Sequence, residues 1–436
     1  MELSTIYKGA IIHSINREKV TILENGVLIV QKNKVIFIDD ISSKKEFDGL
    51  KSKYHPFEIV PLRKGQFLIP GFIDTHTHAS QFPNMGVGYD KTLLEWLGAH
   101  TFPLESKFVD RHLGTKYYRE VIESTLENGT TTAVYFATIH LQSSIELAKC
   151  AHNKHQRAFV GKVNMDSNCP LSLQEDLKRS IKDTTLFIKA VTSLNSDLVK
   201  PIITPRFALS CSAPLLGQLG SLAELNNLHI QTHLAETVEE RDKVAEMFPE
   251  ATNYTSVYER AGLLTNKTIL AHCIHLDDYE MNMIHLAGSS VAHCPSSNIN
   301  LKSGLCNVRK LLNLGINVSL GTDVAGGNSV SMLDAMRSAL NTSVILSMQQ
   351  EDYLPLSYHE VFYMATMGGA KALKMDHILG NFRVGKFFDA LLVSFDLETY
   401  GENTDTLDLF QKFIYTGDNR AITRIYVDGK LVQVNM

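Results

Sequence analysis

Several features that mark specialised protein classes are missing from this sequence of 436 residues. Its six cysteines are thinly spread and contain no C-x-x-C pair, which favours reduced thiols in a cytoplasmic protein. No apolar run approaches the ~18 residues of a membrane span. The first residues also lack the basic segment and long apolar core of a signal peptide, so we expect neither export nor membrane insertion.

Charge of one sign is not concentrated anywhere in the chain. The formal net charge is -5, and no run of five or more like charges occurs. Binding to phosphate backbones requires a basic face, so this balance argues against a nucleic-acid partner. With 44% hydrophobic and 20% charged residues, the composition is that of an ordinary soluble globular protein.

The most informative stretch is Leu68–His78, which reads as an apolar strand ending in two histidines. Side chains at positions i and i+2 of a strand share a face, so His76 and His78 project the same way. Two imidazoles beside the carboxylate of Asp74 can form half of a metal site. A single His-x-His pair is a weak signal, so the rest of the site must come from elsewhere in the chain.

Residues 67–377 alternate apolar strands with helix-like segments. Eight strand–helix units over about 300 residues are typical of an α/β fold of the (β/α)8 TIM-barrel type, in which the active site lies at the C-terminal ends of the strands. The predicted strands are Phe67–Ile73, Thr131–Ala137, Ala158–Met165, Ile202–Leu209, Leu228–His233, Thr268–His272, Ser290–His293 and Asn317–Gly321.

The two ends of the chain, residues 1–66 and 378–436, contain short strands and turns. Neither end could bury a core alone, so we expect them to form one small β-sandwich domain together. The strand-like segments are Tyr7–His13, the hairpin Gly26–Ile38, Asp389–Ser394 and the Asp-Gly hairpin Ile422–Val432.

Potential metal ligands fall at the predicted exits of strands 1, 5, 6 and 8. Chance placement of all of them at these exits is improbable, so together they predict a metal site. Imidazoles with one carboxylate suit Zn²⁺, and Fe²⁺ is the alternative. The residues are His76 and His78, His233 with Glu236 three positions later, His272 and Asp323.

This arrangement resembles the amidohydrolase superfamily of metal-dependent hydrolases, and the resemblance covers essentially the whole chain. Several members hold a second metal ion on a carbamylated lysine at the end of strand 4. Here that strand contains no lysine, and Lys162 in strand 3 reads as a structural or surface residue. The resemblance therefore implies one metal ion per subunit, as in the deaminase branch.

Five longer stretches are more specific than the histidines, which the whole superfamily shares. They are His78–Gln81, Leu93–Leu97, Thr101–Glu105, Pro205–Cys211 and Leu320–Gly327. These stretches resemble the guanine deaminase family. The resemblance implies conversion of guanine and water to xanthine and ammonia with one Zn²⁺, and a homodimeric enzyme.

The mechanism that we expect divides the polar residues into ligands and a proton carrier. The expected ligands are His76, His78, His233 and Asp323. His272 is either a further metal ligand or a hydrogen-bond partner of the attacking water, so it is assigned with Asp323 and Glu236 to the catalytic group. Glu236 is not needed as a ligand, and we predict that it carries protons from the water to ring N3 and the leaving amine.

Substrate selection requires groups that recognise the edge of the purine. Arg206 can donate a hydrogen bond to the carbonyl O6, and Gln81 offers both a donor and an acceptor. Phe207 offers an apolar face. The full set of expected substrate contacts is His78, Ala79, Ser80, Gln81, Arg206, Phe207, His233, Glu236 and Asp323.

Two other functions remain open from the sequence. The same machinery could act on a related amino-heterocycle, such as another purine, a pterin, a triazine or an adenosine derivative. A non-catalytic scaffold on this barrel is the alternative of a different class, although all expected ligands are present. The other zinc deaminase scaffold is excluded, because Cys294-Pro-Ser-Ser has no second cysteine to complete P-C-x-x-C.

Overall fold

Two separate sheets organise the computed structural model, which describes residues 2–401 and 404–432. The strands are β1 (Ser4–Ser14), β2 (Val20–Gln31), β3 (Lys34–Asp40), β4 (Phe57–Pro61), β5 (Gln66–Pro70), β6 (Phe72–His78), β7 (Thr130–Phe136), β8 (Arg157–Gly161), β9 (Val163–Asn164), β10 (Val199–Pro205), β11 (His229–Leu234), β12 (Thr268–His272), β13 (Ser290–His293), β14 (Asn317–Leu320), β15 (Ala390–Ser394), β16 (Ile422–Val427) and β17 (Lys430–Leu431).

Helices connect the strands and cover the outside of the second sheet. They are α1 (Lys44–Lys53), α2 (Leu93–Trp96), α3 (Phe102–Glu105), α4 (Arg111–Glu127), α5 (Leu141–Asn153), α6 (Leu177–Thr192), α7 (Ala213–Leu225), α8 (Val238–Met247), α9 (Tyr254–Arg260), α10 (Asp278–Ala287), α11 (Pro295–Asn300), α12 (Val308–Asn313), α13 (Met332–Gln349), α14 (Tyr358–Tyr363), α15 (Gly369–Ala372), α16 (Leu397–Tyr400) and α17 (Thr406–Thr416).

The second sheet is a nearly closed parallel barrel, which confirms the predicted fold class. Its strand order is β6-β7-β8-β10-β11-β12-β13-β14, with β9 continuing the β8 position beside β10. Backbone hydrogen bonds join β6 to the segment after β14: Asp323 N donates to His76 O at 2.9 Å, and His78 N donates to Val324 O at 3.0 Å. These two bonds place the first and last strand exits side by side.

Apolar side chains from successive strands fill the inside of the barrel. Strand β7 shows the two-residue period: Val134 belongs to the inner cluster, whereas Ala133 and Tyr135 pack toward α4 and α5. This part of the interior is therefore a packed core. The inner cluster is built on Ile73, Val134, Phe159, Ile202, Ile269 and Ala292.

The first barrel strand differs from the prediction Phe67–Ile73. Residues Gln66–Pro70 pair with β15 in the terminal sheet, and the barrel strand begins at Phe72. The two strands meet at Gly71, where any added Cβ would collide with the Thr131 side chain. We propose that the boundary between the two units lies here and not after residue 66.

The terminal sheet takes strands from both ends of the chain, as predicted. Its order is β17-β16-β15-β5-β1-β2-β3, with β4 also pairing with β1. Helix α17 from the C-terminal range instead packs on barrel helix α13, where Arg337 Nε donates to Ile414 O at 2.8 Å. Residues 1, 402–403 and 433–436 of the predicted ranges lie outside the described residues.

Two further observations concern the cysteines and the helices. All six cysteine thiols are free. Four of them, Cys211, Cys273, Cys294 and Cys306, are buried. Across residues 2–401 and 404–432, no helix has both the length and the apolar character that crossing a membrane requires.

Candidate active site

Three histidines and one aspartate converge at the C-terminal end of the barrel. His78 Nε2 lies 3.1 Å from His233 Nε2. Asp323 Oδ1 lies 3.2 Å from His76 Nε2 and 3.5 Å from His78 Nε2. The strand exits that bring them together are those of β6, β11 and β14. The structure thus places these four predicted ligands in one cluster.

The spacing of the cluster fits a single metal ion. Four donors about 2.0–2.1 Å from a tetrahedral Zn²⁺ are separated by roughly 3.3 Å. The distance of 3.1 Å between the two ring nitrogens and the distances of 3.2 and 3.5 Å from ring nitrogens to the carboxylate oxygen are close to this value. His76 Nε2 is buried and has no hydrogen-bond partner within the described chain, although Asp323 lies close by. A nitrogen lone pair in that state is available to a cation.

Burial keeps the histidines of the cluster in the form that binds a metal ion. Desolvation holds the pKa values of His78 and His233 well below the ordinary value for histidine, so both rings are neutral. Burial alone would raise the pKa of Asp323, but the nearby His76 ring and the other neighbouring imidazoles lower it. The set therefore offers neutral nitrogens and one carboxylate.

Outer partners fix which ring nitrogen faces the cluster. His233 Nδ1 lies 2.5 Å from Arg206 O, a carbonyl that can only accept, so Nδ1 carries the proton and Nε2 the lone pair. His272 Nδ1 lies 2.8 Å from Asn298 Oδ1. The Asn298 amide oxygen accepts a hydrogen bond from Nδ1 of His272, so Nε2 of that ring faces the interior of the site. This Nε2 atom has no hydrogen-bond partner among the described residues.

His272 and Glu236 lie beside the cluster and close to each other. His272 Nε2 is 3.4 Å from Glu236 Oε2 and 3.8 Å from Asp323 Oδ2. The hydroxyl of Ser303 donates to Glu236 Oε1 at 2.8 Å. Burial raises the pKa of Glu236 to about 7, which suits a group that must both accept and release a proton near neutrality.

Asp74 does not join the metal cluster, although the sequence places it near the two histidines. Its carboxylate accepts hydrogen bonds from Thr322 N at 3.1 Å, Thr322 Oγ1 at 2.5 Å and His76 N at 3.1 Å. Burial raises its pKa to about 7. Asp74 therefore ties β6 to the exit of β14 and supports the position of the ligands.

A cavity opens beside the cluster and contains the predicted base-recognition groups. Arg206 and Gln81 face it from β10 and from the segment after β6, and Phe207 contributes an aromatic wall. Such a mixture of apolar walls and few polar groups is typical of a small-molecule site. The lining residues are His78, Gln81, Leu93, Trp96, Leu97, Arg206, Phe207, His233, Glu236, His272, Leu301 and Asp323.

Ala79 and Ser80 differ from the other predicted contacts. Both are fully buried, and neither belongs to the described lining of the cavity. Ala79 packs in the cluster of Phe108 and Tyr118. Ser80 Oγ donates to Ala137 O at 3.5 Å. The structure thus places these two residues between the cavity and the outer helices, where they shape the turn that carries Gln81.

Several residues at the site were not assigned a role from the sequence. Leu97 and Leu301 give apolar walls, and Asn298, Ser303 and Glu105 bind predicted site residues. The strings Leu93–Leu97 and Thr101–Glu105 contain part of this signal, because they carry the family resemblance. The contacts of Asn298 and Ser303 leave no mark in the sequence, since they depend on how distant loops approach each other.

Lys162, which the sequence left as structural or on the surface, is fully buried. Its ammonium group donates to Glu175 Oε1 at 2.8 Å and to Glu175 Oε2 at 2.9 Å. Ser180 Oγ donates to the same carboxylate at 2.8 Å. Lys162 is therefore a member of a paired internal network, and it is not among the residues lining the cavity.

Comparisons with known proteins agree with the barrel fold. The Amidohydrolase family model matches residues 67–432. The guanine deaminase of Homo sapiens is 42% identical over 442 residues, covering 99% of this chain and 97% of that protein. The guanine deaminase of Dictyostelium discoideum is 39% identical over 450 residues, covering 98% of both. The solved guanine deaminase from C. acetobutylicum with bound guanine superposes with a TM-score of 0.92, at 39% identity, covering 99% of this chain and 100% of that one.

Proposed function

The chain belongs to the amidohydrolase family, and from that membership we propose that it hydrolyses guanine to xanthine and ammonia. The observation that carries the proposal is one cavity lined by three kinds of group. A histidine–aspartate cluster lies on one side, Glu236 lies beside it, and Arg206 with Gln81 lies in the same lining. The same cavity can therefore activate a water molecule, transfer protons and bind the edge of one purine.

We propose that His76, His78, His233 and Asp323 hold one Zn²⁺. A bound Zn²⁺ would supply the activation of water, since it lowers the pKa of a coordinated water toward ~7. The donor set of three neutral imidazoles and one carboxylate supports this assignment. His272 Nε2 is 3.4 Å from Glu236 Oε2 and 3.8 Å from Asp323 Oδ2, which supports its role as a partner of the attacking water.

Glu236 carries the protons in this scheme. Its carboxylate takes a proton from the attacking water and passes it to ring N3 of guanine, so that the C2 carbon accepts the oxygen. Glu236, ionised again after this transfer, takes the second proton from the new C2 hydroxyl and gives it to the C2 amino group, so that the C2–N bond breaks, ammonia leaves and the C2 carbonyl of xanthine forms. Asp323 remains ionised and accepts a hydrogen bond from the water, which orients the oxygen toward C2. General acid–base groups of this kind contribute ~10²–10⁴-fold.

The purine is recognised at the opposite side of the cavity. The Arg206 guanidinium donates to O6, which adenine lacks. Gln81 has one amide N–H and one oxygen lone pair left after its internal hydrogen bonds, and these suit the N1–H and O6 edge. Phe207 and Trp96 enclose the ring and exclude water, which strengthens each polar contact.

We further propose a homodimer in the cytoplasm. The family resemblance supports the dimer. Six free thiols support a reducing compartment, because unpaired cysteines are typical of cytosolic proteins.

The test is the change in absorbance as guanine becomes xanthine, measured before and after chelation, with ammonia release measured in parallel. We expect turnover of guanine that chelation abolishes and added Zn²⁺ restores. Metal analysis should give one zinc per chain. Turnover of another amino-heterocycle without turnover of guanine would contradict the substrate, and absence of both zinc and turnover would contradict an enzyme altogether.

A further inference from the structure

Glu105 is a buried carboxylate that touches both proposed base-recognition residues. Its side chain is 1% exposed. Arg206 Nη1 donates to Glu105 Oε2 at 2.6 Å, and Gln81 Nε2 donates to Glu105 Oε1 at 3.0 Å. One carboxylate thus binds a residue from the exit of β10 and a residue from the segment after β6. Neither Arg206 nor Gln81 could be moved without breaking a bond to Glu105.

The bond from Gln81 decides how its amide is presented. A carboxylate only accepts, so the nitrogen of the Gln81 amide must face Glu105. The amide oxygen then faces Ala325 N, which donates to it at 3.3 Å. In the opposite orientation the amide oxygen would face a carboxylate and the amide nitrogen a backbone N–H, and both contacts would be repulsive. Glu105 therefore sets which end of Gln81 is the donor.

The bond from Arg206 supplies a counter-charge inside the protein. The Arg206 side chain is 3% exposed, and a buried guanidinium without a partner is costly. Phe102, in the same short helix as Glu105, places its ring 5.2 Å from the Arg206 guanidinium carbon. Two residues of α3 thus hold the Arg206 guanidinium in place. Its remaining N–H groups therefore have a fixed direction.

We propose that Glu105 is a positioning residue that determines specificity for the 6-oxo edge of the purine by holding Arg206 and Gln81 in register. This inference rests on the proposed function, because the edge is that of guanine. Glu105 does not contact the substrate at any step. It acts through Arg206 and Gln81, the two side chains that bind O6 and N1–H. Because it also neutralises the charge of Arg206, the site suits an uncharged base.

The test compares two purines that bind without being deaminated. Hypoxanthine carries O6 and N1–H but no amino group, whereas unsubstituted purine lacks O6. Their inhibition constants give the discrimination, and guanine turnover gives KM and kcat. In Glu105→Gln we expect discrimination to fall and KM to rise by about 10- to 100-fold, as for loss of a hydrogen bond to a charged group. Zinc content and the fold should be retained.

Two further variants separate positioning from a structural role. Glu105→Asp keeps the charge but is one methylene shorter, so it cannot reach both partners, and we expect an intermediate loss of discrimination. In a Gln81→Leu/Arg206→Met background, adding Glu105→Gln should change KM by less than about threefold, because nothing remains to be positioned. Glu246→Gln, an exposed carboxylate on α8, is the matched control and should behave as wild type.

The outcomes are distinct from those of the function test. Wild-type discrimination in Glu105→Gln, or an effect of the same size in the double-variant background, would overturn the proposal. If Glu105→Gln does not fold, Glu105→Asp decides, and unchanged discrimination in that variant would overturn it. If the wild type does not convert guanine but still prefers hypoxanthine over purine, the proposed function fails while Glu105 remains testable by binding.

Discussion

At the scale of single residues, the site separates two carboxylates by their surroundings. Asp323 lies among imidazoles that keep its pKa low, whereas burial raises the pKa of Glu236 to about 7. The first is suited to stay ionised and the second to exchange protons. Both carboxylates lie within 4 Å of His272 Nε2, so one imidazole nitrogen lies close to both groups.

The first prediction concerns Glu236. Replacing Glu236 with Gln should keep the metal cluster intact, because no ligand is removed, while kcat falls by ~10²-fold or more through loss of the proton carrier. Steady-state kinetics and zinc analysis on the same preparation check this. The matched control Glu239→Gln, an exposed carboxylate three residues later, should retain kcat. Loss of zinc in Glu236→Gln, or near-normal kcat, would show that the assignment is wrong.

The sequence predicted the polar residues at strand exits but not the residues that hold them. His76, His233 and Asp323 could be placed because strand periodicity and barrel geometry bring exits together. Asn298 and Ser303 could not, since they lie 26 and 67 positions along the chain from their partners His272 and Glu236. A hydrogen bond between such loops has no local pattern to reveal it.

At the scale of elements, the turn from β11 into α8 carries Glu236. Thr237 is the N-cap of α8, and its hydroxyl accepts a hydrogen bond from Glu240 N at 3.1 Å. The Glu240 carboxylate accepts in return from Glu236 N at 2.9 Å and from Tyr254 OH at 2.6 Å. Because the Glu240 carboxylate is buried, these bonds fix the backbone at Glu236 as well as the start of the helix.

The second prediction uses this turn. Thr237→Ala should lower the free energy of unfolding by about 1 kcal/mol, the usual cost of an N-cap. kcat should stay within about twofold, because Glu240 still binds Glu236 N–H. Glu240→Ala should lower both stability and kcat. Urea unfolding and steady-state kinetics distinguish the two, and an equal loss of kcat in both variants would contradict the division of roles.

The element bounds show where sequence patterns suffice. Strands β12 and β13 were predicted at their observed bounds, because each is a short apolar run that ends at a histidine. The run around Gly71 was predicted as one strand, since periodicity does not reveal that the chain passes from one sheet to another. That change depends on the partner strand β15, which lies more than 300 residues later.

At the scale of the whole molecule, a buried ion pair joins the barrel to the terminal sheet. Arg157 at the start of β8 donates from Nε to Asp389 Oδ2 at 3.1 Å and from Nη2 to Oδ1 at 3.2 Å. Asp428 N also donates to Asp389 Oδ1 at 2.7 Å. Arg157 is 2% exposed and Asp389 7% exposed, and Asp428 Oδ1 lies farther from Arg157 Nη2, at 3.7 Å. Asp389 is therefore the nearer of the two carboxylates that balance the buried guanidinium.

The third prediction follows from that dependence. Asp389→Leu should lower the free energy of unfolding by about 3–5 kcal/mol, because the buried Arg157 loses both hydrogen bonds to Asp389 and keeps only the more distant Asp428. Arg157→Met combined with Asp389→Leu should recover most of the loss. The exposed pair of Lys243 and Glu239 is the control, and Lys243→Met should cost less than about 1 kcal/mol. Urea unfolding followed by circular dichroism measures the stability of the wild type and of these three variants. Equal stability of Asp389→Leu and of the double variant would contradict the account.

The fourth prediction is the loss of stability in mild acid. Burial lowers the pKa values of His13, His140 and His229 to about 4, with Arg383 and Lys386 adding to the shift of His13. Between pH 6.5 and 4 the unfolded chain binds protons that the folded chain does not, so stability falls as the pH falls. Each such histidine contributes a loss of about 2 kcal/mol by pH 5.

His13→Asn isolates one of these contributions. Asparagine can still accept the hydrogen bond that Phe382 N donates to His13 Nδ1 at 3.2 Å, but it does not titrate. The pH dependence of the urea midpoint between pH 6.5 and 5 should be shallower in this variant than in wild type. His112→Asn, at an exposed position, should leave the slope unchanged. Identical slopes in His13→Asn and wild type would contradict the prediction.

The passage of the chain from β5 into β6 also bears on the order of events during synthesis. Strand β5 pairs with β1 at two positions but with β15 at five, and β15 ends at Ser394. The ribosome must therefore translate more than 300 residues beyond β5 before the strand that leads into His76 and His78 gains its second neighbour. A nascent chain that ends between Asp323 and β15 would carry all four proposed metal ligands and still lack the support that aligns the first two.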